Sequence, residues 1–405
     1  MATVSEYSGK ARALTFIALA QIAALSVWFS AAAALPDMIT SAALSPLRQA
    51  ALTSAVQIGF VAGALTSALL GLADRVEPRR LFATGAGLAA LANLMALALD
   101  PGSAGMIATR FLAGFSLAAC YPVGMKLAAS WARGDAGLLV GLLVGALTLG
   151  SALPFMFAAA NWGIAWHWPF LASAAAALLA AVLIQFGRGG PGLRPAPAFR
   201  FGAASLAWKA PALRLANLGY LGHMWELYAL WAWIGPFCHA YWHSRTRSTN
   251  WADITAFSVV AIGALACLLA GRAADRHGRT TITMIAMGLS GSCALASGFL
   301  FHTPPIVMIP LLLLWGMAVI ADSAQFSASI AELSPPEWTG TLLTIQTAMG
   351  FALTALIVQL LPLWIGFAGW EWAFAPLAIG PLLGVWAMAR LRAQPEAVKL
   401  AGGRR

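Results

Sequence analysis

Twelve apolar runs, each long enough to cross a lipid bilayer, constrain this chain more than any other feature. They lie at about 14–35, 51–72, 81–99, 104–129, 137–158, 167–186, 214–241, 253–271, 280–301, 305–330, 340–363 and 372–390. A helix rises about 1.5 Å per residue, so about 20 apolar residues cover the roughly 30 Å of hydrocarbon. Within lipid every backbone N–H and C=O needs a partner in the protein, which leaves helices or closed barrels. The runs are continuously apolar instead of alternating over about ten residues, so they predict an all-α membrane protein. Composition removes the soluble alternative: 60% of the 405 residues are hydrophobic and 9% charged, against about 45–50% and about 25% in ordinary globular chains. The first run is too long for the apolar core of a signal peptide and no small-residue cleavage site follows it, so it reads as a retained span. A net charge of +10 sits in short basic clusters between apolar runs and not along one face, which excludes nucleic acid as a partner. Cys120, Cys238, Cys267 and Cys293 lie inside apolar runs at no metal-ligand spacing, so neither a disulfide nor a metal is expected.

The basic residues also orient the chain. With the N-terminus in the cytoplasm, 20 of the 24 Lys and Arg lie at or near the cytoplasmic side, Arg194, Arg200 and Arg405 among them. Arg48, Arg245 and Arg247 fall outside and Arg110 within a span, the asymmetry that positive-inside topology requires. Both termini are then cytoplasmic, and a bacterial inner membrane is the expected location. The tails before the first run and after the last are too short to fold.

A Gly/Pro/Arg-rich interval divides the spans six and six, with bundles at 1–186 and 214–405 and a cytoplasmic linker at 187–213. The halves echo each other in the same order. GLADRVEPRR at 71–80 returns as GRAADRHGRT at 271–280, ARGDAGLLVG at 132–141 faces PEWTGTLLTI at 335–344, and WHWPF at 166–170 returns as WEWAF at 370–374. Such self-similarity in a membrane chain marks two bundles related by an axis along the membrane normal.

Six plus six spans, a basic central loop and GLADRVEPRR between spans 2 and 3 resemble the major facilitator superfamily, whose loop signature is close to G-x-x-x-D-R-x-G-R-R/K. The resemblance implies two pseudo-symmetric six-helix bundles and a cytoplasmic interlock made by the signature residues. It carries that role to Gly71, Asp74, Arg75, Arg79 and Arg80, and to Gly271, Asp275, Arg276 and Arg279. The first copy has Pro78 and lacks the turn glycine that the second keeps as Gly278. The residues alone also allow these charges to act only as stop-transfer signals that fix topology.

An Asp, Lys or Arg at a helix centre costs about 2.5–3.5 kcal/mol on insertion scales, so each needs a partner, a wet cavity or a function. Glu226 lies about twelve residues deep in span 7, roughly 18 Å, and Asp322 about 12–15 Å deep in span 10. The resemblance places both spans beside a central cavity, so the two carboxylates are expected to take up a cation or a proton. His223 precedes Glu226 by three residues and shares its helix face, which suits a proton relay. Arg110 opens RFLAGFS, which resembles the family's span-4 signature and implies a place by the cavity; the alternative is a structural pair with Asp37. Lys126 either serves the cavity or extends its ammonium to the cytoplasmic surface. Gln325 shares a face with Asp322. Trp28 and Tyr228, 200 residues apart, put aromatic rings at equivalent levels, where they stack on a solute or pack the bundles.

These features predict a secondary transporter that moves a small organic solute by alternating access, with protons as the coupling ion and a monomer as the working unit. No G-x-x-x-x-G-K-[ST] phosphate cradle is present, so ATP is not the expected fuel, and no cofactor is expected. Multidrug/proton antiport is the alternative, though Pro154 follows Leu153 where the antiporter signature has a Gly-Pro pair. Nitrate carriage is disfavoured because spans 2 and 8 lack arginine. A channel would show a ring of identical polar residues and a sensor an appended soluble domain. An enzyme would show a catalytic cluster, and none of the three features is visible.

Overall fold

The computed structural model describes residues 9–133, 135–160, 166–193, 202–243, 245 and 250–404. Arg194, Arg200, Arg247, Arg405 and part of the interval 187–213 lie outside them. Among the described residues the regular structure is helical, with no strand. Span 1 is Lys10–Ala42, span 2 Pro46–Leu70, span 4 Ala104–Ala129, span 5 Gly137–Ala160 and span 6 His167–Phe186. Span 8 is Asn250–His277, span 9 Arg279–Phe299, span 10 Pro305–Leu333 and span 11 Thr339–Ala368. These nine have the length and apolar character to cross a membrane on those grounds alone. Pro78–Ala96, Pro211–His243 and Ile379–Arg392 supply spans 3, 7 and 12.

Four spans are interrupted, which the apolar runs did not show. Span 1 opens between Lys10–Leu25 and Ser30–Ala42, span 4 between Ala104–Leu117 and Tyr121–Ala129, span 8 at Ile262 and span 10 at Asp322. Pro122 explains the second break, since its ring removes an N–H and crowds the carbonyl four residues back, at Ala118. The first break has no proline, and a neighbouring span takes up its freed carbonyls, as described below.

Within the first half span 3 packs on spans 4 and 6, span 2 on span 4, and span 1 on spans 5 and 6. Within the second half span 7 packs on spans 11 and 12, span 9 on spans 10 and 12, and span 8 on span 10. The halves meet where span 2 lies along span 11, span 5 along both pieces of span 8, and the second piece of span 1 against span 7. Two six-helix bundles with a seam between them are the result. Lipid gives no hydrophobic drive to helix pairing, so these contacts rest on close van der Waals packing and on hydrogen bonds.

The face that carries the duplicated loop adds two pieces. Ala203–Lys209, inside the interval read as linker, is a short helix on spans 7 and 11, and its Ala207 carbonyl accepts from Asn217 Nδ2 at 3.2 Å. The C-terminal tail corrects the expectation that it would not fold: Pro395–Gly403 forms short 3-10 turns kinked at Leu400, Ala401 and Gly402, with Ala397 and Leu400 fully buried. Ala401, left-handed at φ 47, donates its N–H to Glu332 Oε2 at 3.0 Å. At the other end Lys10 Nζ meets Asp135 Oδ2 at 2.6 Å. The Arg133 N–H, and then Lys10, hold the Asp135 carboxyl below its ordinary value. That contribution is present above the usual carboxylate pKa and is lost as pH falls through the depressed one.

Candidate functional site

Six rings close the seam at mid-height. Trp28, Phe60, Tyr228 and Phe351 sit near the middle of spans 1, 2, 7 and 11, so two come from each bundle. The Trp28 ring centroid lies 4.9 Å from Phe60, 5.3 Å from Phe351 and 5.7 Å from Tyr228. Phe351 is 4.8 Å from both Phe60 and Tyr228. Phe29 and Trp231 extend the tier, 5.9 Å apart and each in ring contact with Tyr228. All six are at most 5% exposed. The equivalent aromatics Trp28 and Tyr228 therefore touch across the seam. Above the tier Gln359 Nε2 donates to Ser54 Oγ at 2.6 Å, and below it Thr148 Oγ1 stands 3.9 Å from Cys267 Sγ.

The ionisable groups expected at the cavity are each held inside their own bundle. Arg110 does not pair with Asp37, which is within electrostatic reach of Asp253 and His239 instead. Its guanidinium, fully buried, donates to Asn93 Oδ1, to the Val27 carbonyl at 2.8 Å and to the Trp28 carbonyl at 3.4 Å. It thus supplies the donors that the break in span 1 requires, and it lies over the Phe170 ring. Glu226 Oε1 accepts from Ser290 Oγ and from Trp315 Nε1, both at 2.7 Å, so its carboxyl ties span 7 to spans 9 and 10. His223 turns to Asp322 and not to Glu226, with Nδ1 2.8 Å from Asp322 Oδ1. That oxygen accepts no hydrogen bond of regular geometry, and His223 Nε2 has no partner. The pair is buried at the break in span 10.

Two residues expected at the cavity belong to the network around the duplicated loop. Lys126 Nζ bonds Asp74 Oδ1 and the Ala73 carbonyl, so it neither serves the seam nor simply reaches for solvent. Gln325 Oε1 accepts from Arg279 Nη1 at 2.8 Å, away from the Asp322 carboxyl. Gly71 ends span 2 in the left-handed region at φ 61. Glu77 caps span 3 by accepting the Arg80 N–H at 3.0 Å, and Pro78 begins that helix, which serves where the second copy uses Gly278 at φ 95. Arg79 bonds Glu77 and the Gln185 carbonyl at the end of span 6. In the second copy Arg279 bonds Asp275 at 3.1 Å and Glu332 at 2.7 Å. A Cβ placed on Gly137 of span 5 would lie 3.2 Å from Asp275 Oδ2, and one on Gly271 3.9 Å from the Gly137 carbonyl oxygen. This copy therefore abuts the N-terminus of a helix in the other bundle, where the dipole favours a carboxylate. No side-chain partner is described for Arg75 or Arg276.

Several participants were not singled out from sequence. Asn93, a lone Asn in the third apolar run, carried a signal that insertion cost makes readable. Phe60 and Phe351 carried none, because a mid-span phenylalanine looks the same whether it faces lipid or seam. Glu332, which joins Arg279 to the tail, lies just past the tenth apolar run, where a charge carries no insertion cost and hence no signal.

Comparison with known proteins follows this geometry. The family model for the Major Facilitator Superfamily matches residues 17–347, most of the chain. No curated protein matches the sequence. Among solved structures, a D-xylose-proton symporter is similar at TM-score 0.73 and 16% identity, covering 95% of this chain and 98% of that one. The nucleoside transporter NupG is similar at TM-score 0.71 and 13% identity, covering 94% and 98%. The human organic anion transporter TETRAN is similar at TM-score 0.66 and 17% identity, covering 94% and 99%. Identities this low show a shared fold and nothing about the solute. With the seam, the repeated loop and the family match in agreement, the chain belongs to the Major Facilitator Superfamily.

Proposed function

We propose that the protein is a secondary transporter that carries a small organic solute, chemically unchanged, as its two bundles rock about the aromatic tier. In this reading 1–186 and 214–405 are the moving units, the interval 187–213 joins them, and a monomer in a bacterial inner membrane with both termini cytoplasmic suffices. The observation that carries the reading is the tier itself: six buried rings drawn from spans 1, 2, 7 and 11 form the contact that must part for a solute to pass. Protons are the proposed coupling ion, with His223 and Asp322 as their carriers. The two side chains lie 2.8 Å apart and buried at the break in span 10, where any change of charge is poorly screened by water. Glu226, expected to share that role, has two donors in its own bundle and here fixes spans 9 and 10 to span 7. Asp74, Lys126, Asp275 and Arg279, with Gly71, Arg75, Arg79, Arg80, Gly271 and Arg276 around them, form the proposed cytoplasmic gate. Multidrug/proton antiport uses the same parts, and the apolar rings are the observation that favours it.

The test is transport in proteoliposomes offered labelled amines, carboxylates, sugars, amino acids and aromatic amides, under an imposed proton gradient and in counterflow. At least one class should accumulate and lose the accumulation when a protonophore is added. Asp322→Asn should cut accumulation at least about tenfold while counterflow persists, because exchange needs no net proton movement. Exchange of no class removes the transporter reading; accumulation indifferent to the gradient removes the proton.

A further inference from the structure

We infer that the solute bound at this seam is uncharged, flat and a hydrogen-bond acceptor, of the class of aromatic or heteroaromatic amides, and that it lodges among Trp28, Tyr228, Trp231 and Phe351. The inference rests on the seam being the transport path and adds the chemistry of what travels along it.

Flatness follows from the tier. Its rings meet at tilted angles of 36–58° among Trp28, Phe60, Tyr228 and Phe351. When the bundles part, ring faces from both halves are uncovered together, and a planar ring is the body that covers them again.

Neutrality follows from where the charges are. Arg110 is bound to Asn93 and to two carbonyls of span 1, Glu226 to Ser290 and Trp315, and Asp322 sits beside His223. None of the six rings carries a formal charge. An ion lodged among them would lose its water without gaining a counter-charge.

The acceptor requirement follows from two indoles. Half-buried Trp225 and buried Trp233 and Trp315 each donate Nε1 to an acceptor, the first two to the carbonyls of Pro376 and Val358. Trp28 Nε1 and Trp231 Nε1 are enclosed and have no partner, and both rings belong to the tier. Buried donors are ordinarily bonded, and an indole N–H can only donate. A carbonyl oxygen on the solute completes them; a cation cannot.

Benzoate, benzamide and benzamidine share ring and shape and differ in charge, so calorimetric binding of the three to the purified full chain tests the inference. Benzamide should bind at least about tenfold more tightly than either ion. Trp28→Phe keeps a ring but removes the donor, and should weaken benzamide about 3–10-fold, the worth of one hydrogen bond, with the melting temperature unchanged. Benzoate, benzamidine or D-xylose binding as tightly as benzamide overturns the inference, and so does benzamide binding indifferent to Trp28→Phe. If benzamide fails while another solute class exchanges in counterflow, the inference falls and the transporter stands. If no class exchanges, both fall.

Discussion

Arg110→Ala is expected to lower the melting temperature of the detergent-solubilised protein by about 10 °C or more and to abolish transport. The substitution removes a charged donor from three buried acceptors: Trp28 O loses its partner, while Asn93 Oδ1 and Val27 O keep bonds from Ser30. Hydrogen bonds to a charged group contribute about 1.5–3 kcal/mol each, and a buried acceptor left bare costs about 1–3 kcal/mol. Relief from burying the guanidinium offsets part of this, leaving a loss of several kcal/mol. Arg110→Lys should recover only a fraction, since one ammonium cannot reach acceptors on two helices in the way a planar fork does. Thermal scanning by near-UV circular dichroism reads the result. An unchanged melting temperature would mean that the break in span 1 does not depend on Arg110.

Gly316→Val should leave almost no monodisperse protein. A Cβ at that position of span 10 would lie 1.9 Å from the Val259 carbonyl oxygen of span 8, and one at Gly114 of span 4 would lie 2.0 Å from the Val56 carbonyl oxygen of span 2. Both obstacles are backbone and cannot rotate away, so the helices must separate and lose the close contact that holds bundles together in lipid. Gly288→Val is the control, because nothing lies within 4 Å of the added atom there. Fluorescence-detected size exclusion should show the peak reduced more than about tenfold for Gly316→Val and Gly114→Val and retained for Gly288→Val. Equal peaks for all three would contradict the packing described.

How much of this was readable from the sequence depends on whether the property is local. A span is local, because bilayer thickness and run length decide it, and the duplicated loop is local text. The direction a side chain faces is not. Glu226 and Tyr228 are two residues apart, hence about 200° apart around the helix. Both lie at membrane depth on a span that the resemblance sets beside a cavity, yet only Tyr228 meets the tier while Glu226 meets Ser290 and Trp315. The break in span 1 was hidden for the same reason, since it is completed by an arginine more than 80 residues away; the break at Pro122 has a local cause, but the apolar run passes through it without interruption. Lys126 read as a choice between cavity and surface, and the partner that decides it, Asp74, lies on a loop 52 residues earlier. The tail read as unstructured because a stretch that short has no core of its own; Leu400 uses that of the second bundle.

The claim on which all of this depends is that the two bundles separate along the seam during each cycle. Thr148→Cys puts a second thiol opposite Cys267 across spans 5 and 8, where the native side-chain atoms are 3.9 Å apart. Uptake by the oxidised variant in proteoliposomes is the most direct measurement, with cross-linking verified by the two halves staying joined on a non-reducing gel after cleavage in the connecting interval. The account predicts uptake that is lost on oxidation and restored by reductant. Full uptake through a cross-linked seam would contradict it.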